Sequence, residues 1–307
     1  ELWQKILELR METGEPYLHF IDTSNRAMPD FQKKLGLRIH QSNLCSEIIL
    51  PTNKERTAVC CLSSVNLEYY DAWSKNQLFL RDMAEMLDNV LQFFIDNAPD
   101  AVSRARFSAQ RERSIGIGAL GFHAYLQKKH LPWECAMAKV TNNRIFSHIR
   151  SKVDEANLQL GSERGEAPDA EGTGRRFSHT MAIAPNASSS IIMGNTSPSI
   201  EPYRANAYRQ DTLSGAFLNK NKYLVELVNK KIELGATKLD ADEIWSSIIA
   251  NDGSVQHLRW LQPEEKDVFK TAMEIDQRWI IEHAADRQLY LDQSQSLNVF
   301  FRPDTNI

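Results

Sequence analysis

The sequence predicts an α/β fold, with helices and short strands layered or closed into a barrel. Three observations carry this. Residues 77–98 form a long amphipathic helix, with Phe79, Met83, Met86, Val90 and Phe94 at helical spacing and Pro99 as its stop. Short apolar runs at 43–50, 57–67 and 180–184 have the length and composition of isolated strands. Long helical stretches separate them, which favours α/β layering over an all-helical bundle.

Taken in order, residues 1–13 read as a helix, and Gly14 and Pro16 lead to a strand-like Tyr17–Ile21. Residues 43–50 and 57–67 read as two extended segments joined through Pro51 and a polar turn. Residues 114–129 and 133–160 read as two further helices, and Pro132 suits a helix start. The polar, glycine-rich stretch 161–176 reads as a mobile or linker-like loop, or alternatively as a domain boundary. Helices follow at 221–234, 241–250 and 264–285, the last with Val268, Ala272, Ile275 and Trp279 on one face. Glu264 and Glu265 sit at its start, where the helix dipole favours negative charge. Ser296–Phe301 reads as a last strand. The first residue is Glu1 and the chain stops just after this run, so it is expected to be a piece of a longer protein, incomplete at both ends.

The composition is that of an ordinary globular protein, 42% hydrophobic and 25% charged over 307 residues. A net charge of -4 argues against a broad nucleic-acid surface or a membrane-binding face. No apolar run has membrane-spanning length, and the first residues do not form a secretory signal. Four cysteines do not make a disulfide framework and fit a reducing, cytoplasmic setting. Metal binding is not expected: there is no Cys-x-x-Cys pair, and adjacent Cys60 and Cys61 point to opposite faces of a strand. Cys135 reads as a small buried hydrophobe.

Gly116-Ile117-Gly118-Ala119-Leu120-Gly121 matches the dinucleotide fingerprint as a string. That motif needs a hydrophobic strand before it, and Ala109–Ser114 is a poor one. The glycines are expected to allow close helix packing, with His123 and Tyr125 as core or interface groups.

The chemistry concentrates around Cys45. In Ser42-Asn43-Leu44-Cys45-Ser46-Glu47-Ile48, Asn43, Cys45 and Glu47 alternate, so an extended backbone would put them on one face. A carboxylate beside a nucleophilic cysteine raises its pKa, which argues against a hydrolytic thiolate. A neutral thiol that transfers a hydrogen atom meets no such objection. Glu47 could serve as base to a substrate hydroxyl, Asn43 could orient a polar group, and Cys60 could supply electrons. His40 could position the loop. A second candidate is Asn186, Ala187, Ser188, Ser189 and Ser190, after a strand and before a short helix. Free N–H groups and hydroxyls there could hold phosphate, and ordinary N-capping is the competing reading. Arg175, Arg176 and Asn298 could face either ligand or solvent.

These residues resemble the large subunit of ribonucleotide reductases, most of all the oxygen-dependent class I. The resemblance runs through Ser42–Ile48 with Leu50-Pro51-Thr52, Cys60–Leu67, and Arg113–Gly118 with Gly121–Tyr125. It continues through the serine-rich segment, Thr212–Gly215 and Asp292–Asn298. It implies the second half of a ten-stranded α/β barrel with a central finger loop at about 40–56, residues 1–307 being one partial barrel. It makes Cys45 the thiyl radical that takes the 3'-hydrogen of a ribonucleoside diphosphate, Glu47 the base and Asn43 a substrate hydrogen-bonding group. Cys60 becomes one of a reducing pair, Cys61 a bystander, Ser42 a substrate neighbour, and Asn186–Ser190 the phosphate cradle.

The resemblance also implies no cofactor within this chain, but several partners. These are a metal-containing radical-generating small subunit, thioredoxin or glutaredoxin as reductant, a second large subunit, and ATP or deoxynucleotide effectors bound upstream. The second reducing cysteine lies upstream in the family, and the tyrosine pair and C-terminal thiols lie downstream. Alternatives are an adenosylcobalamin-dependent reductase, a non-catalytic assembly fragment, or a glycyl-radical relative.

Overall fold

A computed structural model describes residues 1–212 and 215–301. Leu213 and Ser214, the centre of the Thr212–Gly215 segment, lie outside the described residues, as do 302–307. The fold is α/β, with a main core around two parallel strands and a second core around a hairpin.

Helix α1 (Leu2–Thr13) ends at Gly14, whose φ of 81° is the left-handed geometry glycine adopts without strain. Tyr17–Phe20 forms no strand, because none of the described residues pairs with it; it leads into α2 (Ile21–Ala27) and α3 (Asp30–Lys34). Residues 43–50 form no strand either. Strand β1 (Cys61–Asn66) runs into the short α4 (Tyr70–Trp73).

Helix α5 (Phe79–Asn97) lies where expected, but its inward face is shifted from the expected stripe, of which Phe79 and Met83 still pack against the core. Leu80, Ala84, Leu87, Asp88 and Leu91 are buried, whereas Met86 and Val90 are 50% and 52% exposed. Both stripes have helical spacing. The choice coincides with Asp88, which accepts hydrogen bonds from Arg113, Arg164 and Arg176. Arg176 is thereby committed to a buried carboxylate and is not a free phosphate ligand.

After α6 (Ser103–Glu112), the expected helix at 114–129 is divided. Ile115–Leu120 is strand β2, buried throughout and parallel to β1 with Cys61 opposite Ile115. Gly121, at φ 81°, turns the chain into α7 (Phe122–Lys128). The glycine string is therefore a strand, and its glycines serve sheet packing instead of helix packing. A Cβ on Gly118 would lie 2.5 Å from the Ala182 carbonyl, and one on Gly116 would overlap Leu62. His123 and Tyr125 are core residues.

Helix α8 (Ala136–Arg164) begins one turn after Pro132, capped by Cys135, whose sulfur accepts from Ala138 N–H at 3.3 Å. Residues 161–164 are its last turn, and the rest of the expected loop is partly buried, with Gly165, Glu171 and Gly172 exposed. Ala167, Asp169, Ala170 and Arg176 are buried, and Asp169 binds Arg56 and Arg111.

Residues 179–183 lie beside β2: Ile115 N–H and Ile117 N–H donate to the carbonyls of His179 and Thr180 at 3.0 and 2.8 Å. Residues 293–296 continue the layer, joined by Gln293 N–H to Met181 O at 3.1 Å and a parallel bridge between Ile183 and Gln295. The expected strand 296–301 is irregular beyond that bridge.

The short α9 (Ala187–Ile192) follows. The hairpin β3 (Ala207–Thr212) and β4 (Gly215–Lys220), not anticipated from sequence, packs with α10 (Lys222–Glu233) and α11 (Ala241–Ala250). α11 starts with a reciprocal Asp240–Glu243 capping box. The expected helix 264–285 is two, α12 (Pro263–Val268) and α13 (Gln277–Gln288), because Asp276 caps a new start. Among the described residues, no helix is long and apolar enough to cross a membrane.

Candidate active site

The Cys45 loop is closed at its base by Thr52, whose N–H donates to Arg38 O at 3.1 Å and whose hydroxyl lies 3.3 Å from His40 Nδ1. At its tip a turn replaces the expected extended run. Asn43 Oδ1 accepts from Ile48 N–H at 3.1 Å, and Ser46 N–H donates to Asn43 O at 3.1 Å. Ser46 has a φ of 69°, so the alternation that would place Asn43, Cys45 and Glu47 on one face does not hold. Asn43 is exposed, Cys45 half-buried and Glu47 buried. Ser42 Oγ donates to Asn43 O at 3.0 Å.

Glu47 is held by its backbone, whose carbonyl accepts from Ser294 N–H at 2.9 Å. Its Oε2 is buried without a hydrogen-bond partner. Unpaired buried carboxylate oxygens are rare because their desolvation is uncompensated, and they concentrate at functional sites.

Cys60 is half-buried at the edge of β1, and burial of its sulfur pushes the thiol up, partly opposed by a hydrogen bond from Gln293 Nε2 at 3.4 Å. Burial also raises Cys61, against the opposing pull of Arg113, and Cys61 packs on the main core. All four cysteines are free thiols. No group of three or more His, Cys, Asp or Glu side chains suited to a metal ion occurs among the described residues.

In the serine-rich segment, Asn186 does not cap α9. Its Nδ2 donates to Ser64 Oγ at 3.0 Å and Ala184 O at 2.9 Å, tying the segment to β1. Ala187, Ser188 and Ser189 are exposed, and Ser190 is buried with its hydroxyl on Ala187 O at 2.7 Å. Asn186, Ala187 and Ser190 line a cavity of about 480 Å³ together with Glu201 and Asn298. Glu201 Oε1 accepts from both Asn298 N–H and Nδ2, at 2.9 and 2.8 Å, and burial raises its pKa against those bonds. Cys45, Glu47 and Cys60 do not line this cavity.

Three polar residues had no role assigned from sequence. Gln293 links the loop to Cys60, Glu201 faces the cavity, and Asp292 accepts from Thr180 N–H, Met181 N–H and Arg150. Burial alone would raise Asp292, but His179, Arg150 and these N–H groups together hold it below the usual carboxylate range. Their positions beside Ile-Glu-Pro and inside Asp292–Asn298 were the available signal.

Fold and site define an α/β protein in which a cysteine-bearing loop is hydrogen-bonded to a sheet layer that carries a second thiol. The chain matches the family model described as "Ribonucleotide reductase, barrel domain" over residues 1–173 and 167–307. It is 58% identical over 307 residues to the ribonucleoside-diphosphate reductase large subunit of Invertebrate iridescent virus 3, covering 100% of this chain and 48% of that protein. It is 61% identical over 262 residues to the corresponding subunit of Invertebrate iridescent virus 6, covering 85% and 27%. The structure superposes on the Actinobacillus ureae class Id ribonucleotide reductase alpha subunit with TM-score 0.91 and 42% identity, covering 99% of this chain and 56% of that one. The chain belongs to the ribonucleotide reductase large-subunit family. It spans about half the length, or less, of these relatives.

Proposed function

We propose that this chain is the catalytic part of a class I ribonucleotide reductase large subunit, which reduces ribonucleoside diphosphates to deoxyribonucleoside diphosphates. The observation that carries the reading is Glu47, a buried carboxylate with one unpaired oxygen, two residues from Cys45 on a loop pinned by Ser294. An unpaired acceptor there suits a base that receives a substrate hydroxyl proton. The 42% identity to a protein named class Id favours this class over the cobalamin-dependent one.

In this reading Cys45, as a thiyl radical, takes the 3'-hydrogen while Glu47 accepts the 3'-hydroxyl proton and Asn43 orients the sugar hydroxyls. The 2'-hydroxyl leaves as water. Cys60 and a second thiol from outside the described residues give up two electrons and two protons as they become a disulfide. Cys45 then returns its hydrogen to C3', Glu47 returns the proton to the 3'-oxygen, and Cys45 is a radical again. Ser42 borders the substrate, and Asn186–Ser190 receive its phosphates, with Asn186, Ala187 and Ser190 on the wall of the 480 Å³ cavity, whose size is that of a small-ligand site.

The finer architecture belongs to the same proposal: residues 1–307 as the later half of a ten-stranded barrel, with 40–56 as its finger loop. So do the partners, which are a metal-containing radical-generating small subunit, thioredoxin or glutaredoxin, a second large subunit, and ATP or deoxynucleotide effectors on other segments. A cytoplasmic location fits four free thiols.

The test uses the full-length large subunit with its radical-generating partner. Cys45→Ser is expected to abolish nucleotide reduction and leave diphosphate binding intact. Normal turnover by that variant would refute the assignment.

A further inference from the structure

The carboxamide of Gln293 joins the two cysteine-bearing segments. Its Oε1 accepts from Ile49 N–H at 3.4 Å, two residues after Glu47. Its Nε2 donates to Ile115 O at 3.3 Å and to Cys60 Sγ at 3.4 Å. A backbone N–H can only donate and a carbonyl can only accept, so Ile49 and Ile115 decide which end of the amide is which. The amide therefore turns its N–H to the sulfur, whose own thiol donates to the Cys61 carbonyl at 3.9 Å.

The amide is delivered by a rigid support. Gln293 is fully buried. Its N–H donates to Met181 O at 3.1 Å, and its carbonyl accepts from Gln288 Nε2 at 2.8 Å. The preceding residue, Asp292, is anchored by the N–H groups of Thr180 and Met181 at 3.0 and 2.9 Å and by Arg150 at 3.0 Å. On the other side, a Cβ on Gly116 would come within 3.3 Å of Cys60 Sγ, so glycine there keeps the space the sulfur occupies.

We propose that Gln293 is a positioning residue for Cys60, holding its sulfur at the sheet edge, stabilising its anionic form, and keeping the Cys45 loop in register with it. Its importance to turnover rests on the reading of Cys60 as a reducing thiol. Thiol–disulfide chemistry proceeds through the thiolate. Burial opposes that form, and Cys61, Asp292 and Glu112 act in the same direction as burial. The Gln293 amide is the group that acts against them.

The test uses the full-length large subunit carrying Gln293→Leu or, in parallel, the unbranched Gln293→Met; neither replacement can donate. The alkylation rate of Cys60 by iodoacetamide is followed peptide by peptide against pH, with Cys61 as internal reference. Loss of a hydrogen bond to a charged group predicts alkylation of Cys60 about tenfold slower at a given pH, a displacement of about one pH unit upward. The Cys61 profile stays in place. In the reconstituted enzyme kcat falls while KM is retained.

An unchanged Cys60 profile in whichever variant folds overturns the proposal. So does equal displacement of Cys60 and Cys61, which is the mark of a merely structural role. Alkylation needs no turnover, so inactivity of the parent enzyme would refute the functional reading without touching this one.

Discussion

Arg56 and Asp169 form a buried, two-pronged ion pair across the end of the Cys45 loop, joining it to the segment after α8. Both side chains are almost fully buried, and Arg56 also reaches Glu112 at 3.2 Å. Asp169→Ala would leave a buried guanidinium with half its partners. The expected loss is about 3–5 kcal/mol of unfolding free energy, read from urea denaturation. The exposed Asp30–Lys33 pair is the control: Asp30→Ala is expected to cost under about 1 kcal/mol.

Glu112 makes the same network pH-dependent. Burial lifts its pKa from 4.5 to about 7, against the pull of Arg56 and Ser108. The folded state therefore holds a proton that the unfolded state has released, and stability falls as pH rises from about 4.5 to about 7. Glu112→Gln mimics the protonated form. Its urea midpoint is expected to match the parent at pH 5 and to exceed it at pH 8. Equal pH dependence in both proteins would contradict the shift.

The two glycines of β2 predict unequal costs. On Gly118 a Cβ meets the Ala182 carbonyl at 2.5 Å, a backbone atom in a hydrogen-bonded layer. On Gly116 the worst contact is the far end of the Leu62 side chain, which is 37% exposed and can move. Gly118→Ala is expected to destabilise by roughly 2–3 kcal/mol and Gly116→Ala by about 1 kcal/mol. Thermal midpoints with a reversed order would show that the layer moves more easily than the side chain.

Glu47→Gln keeps the size of the side chain and removes the proposed base. In the reconstituted full-length enzyme, kcat is expected to drop about 10²–10⁴-fold, the usual contribution of a positioned base, with KM nearly unchanged. A rise in KM alone, measured by steady-state kinetics, would recast Glu47 as a binding group.

Much of this protein was legible before any coordinates. α1, α10 and α11 carry their own stops and caps, such as Gly14 after Thr13 and the Asp240–Glu243 box. The thiols and serine-rich segment stood out by residue type and order. The face of α5 was not legible, because two apolar stripes fit one helical period and a buried Asp88 with three arginines coincides with the stripe turned inward. The strand at 115–120 was hidden for a related reason: a short glycine-rich apolar run has no period that separates strand from helix.

The sequence by itself determined the α/β class, the extents of helices such as α1, α10 and α11, and the identity of the reactive candidates, since these depend on side chains a few positions apart. Only the tertiary structure decided that the glycine string is a buried strand, that Asp169 and Arg176 are buried against charged partners, and that Gln293 connects Ile49 to Cys60. Those outcomes depend on partners distant in the chain, such as Cys61 opposite Ile115, Arg56 on Asp169 and Ile49 on Gln293. A hydrogen-bonding group or charge with such a partner carries no local mark of it.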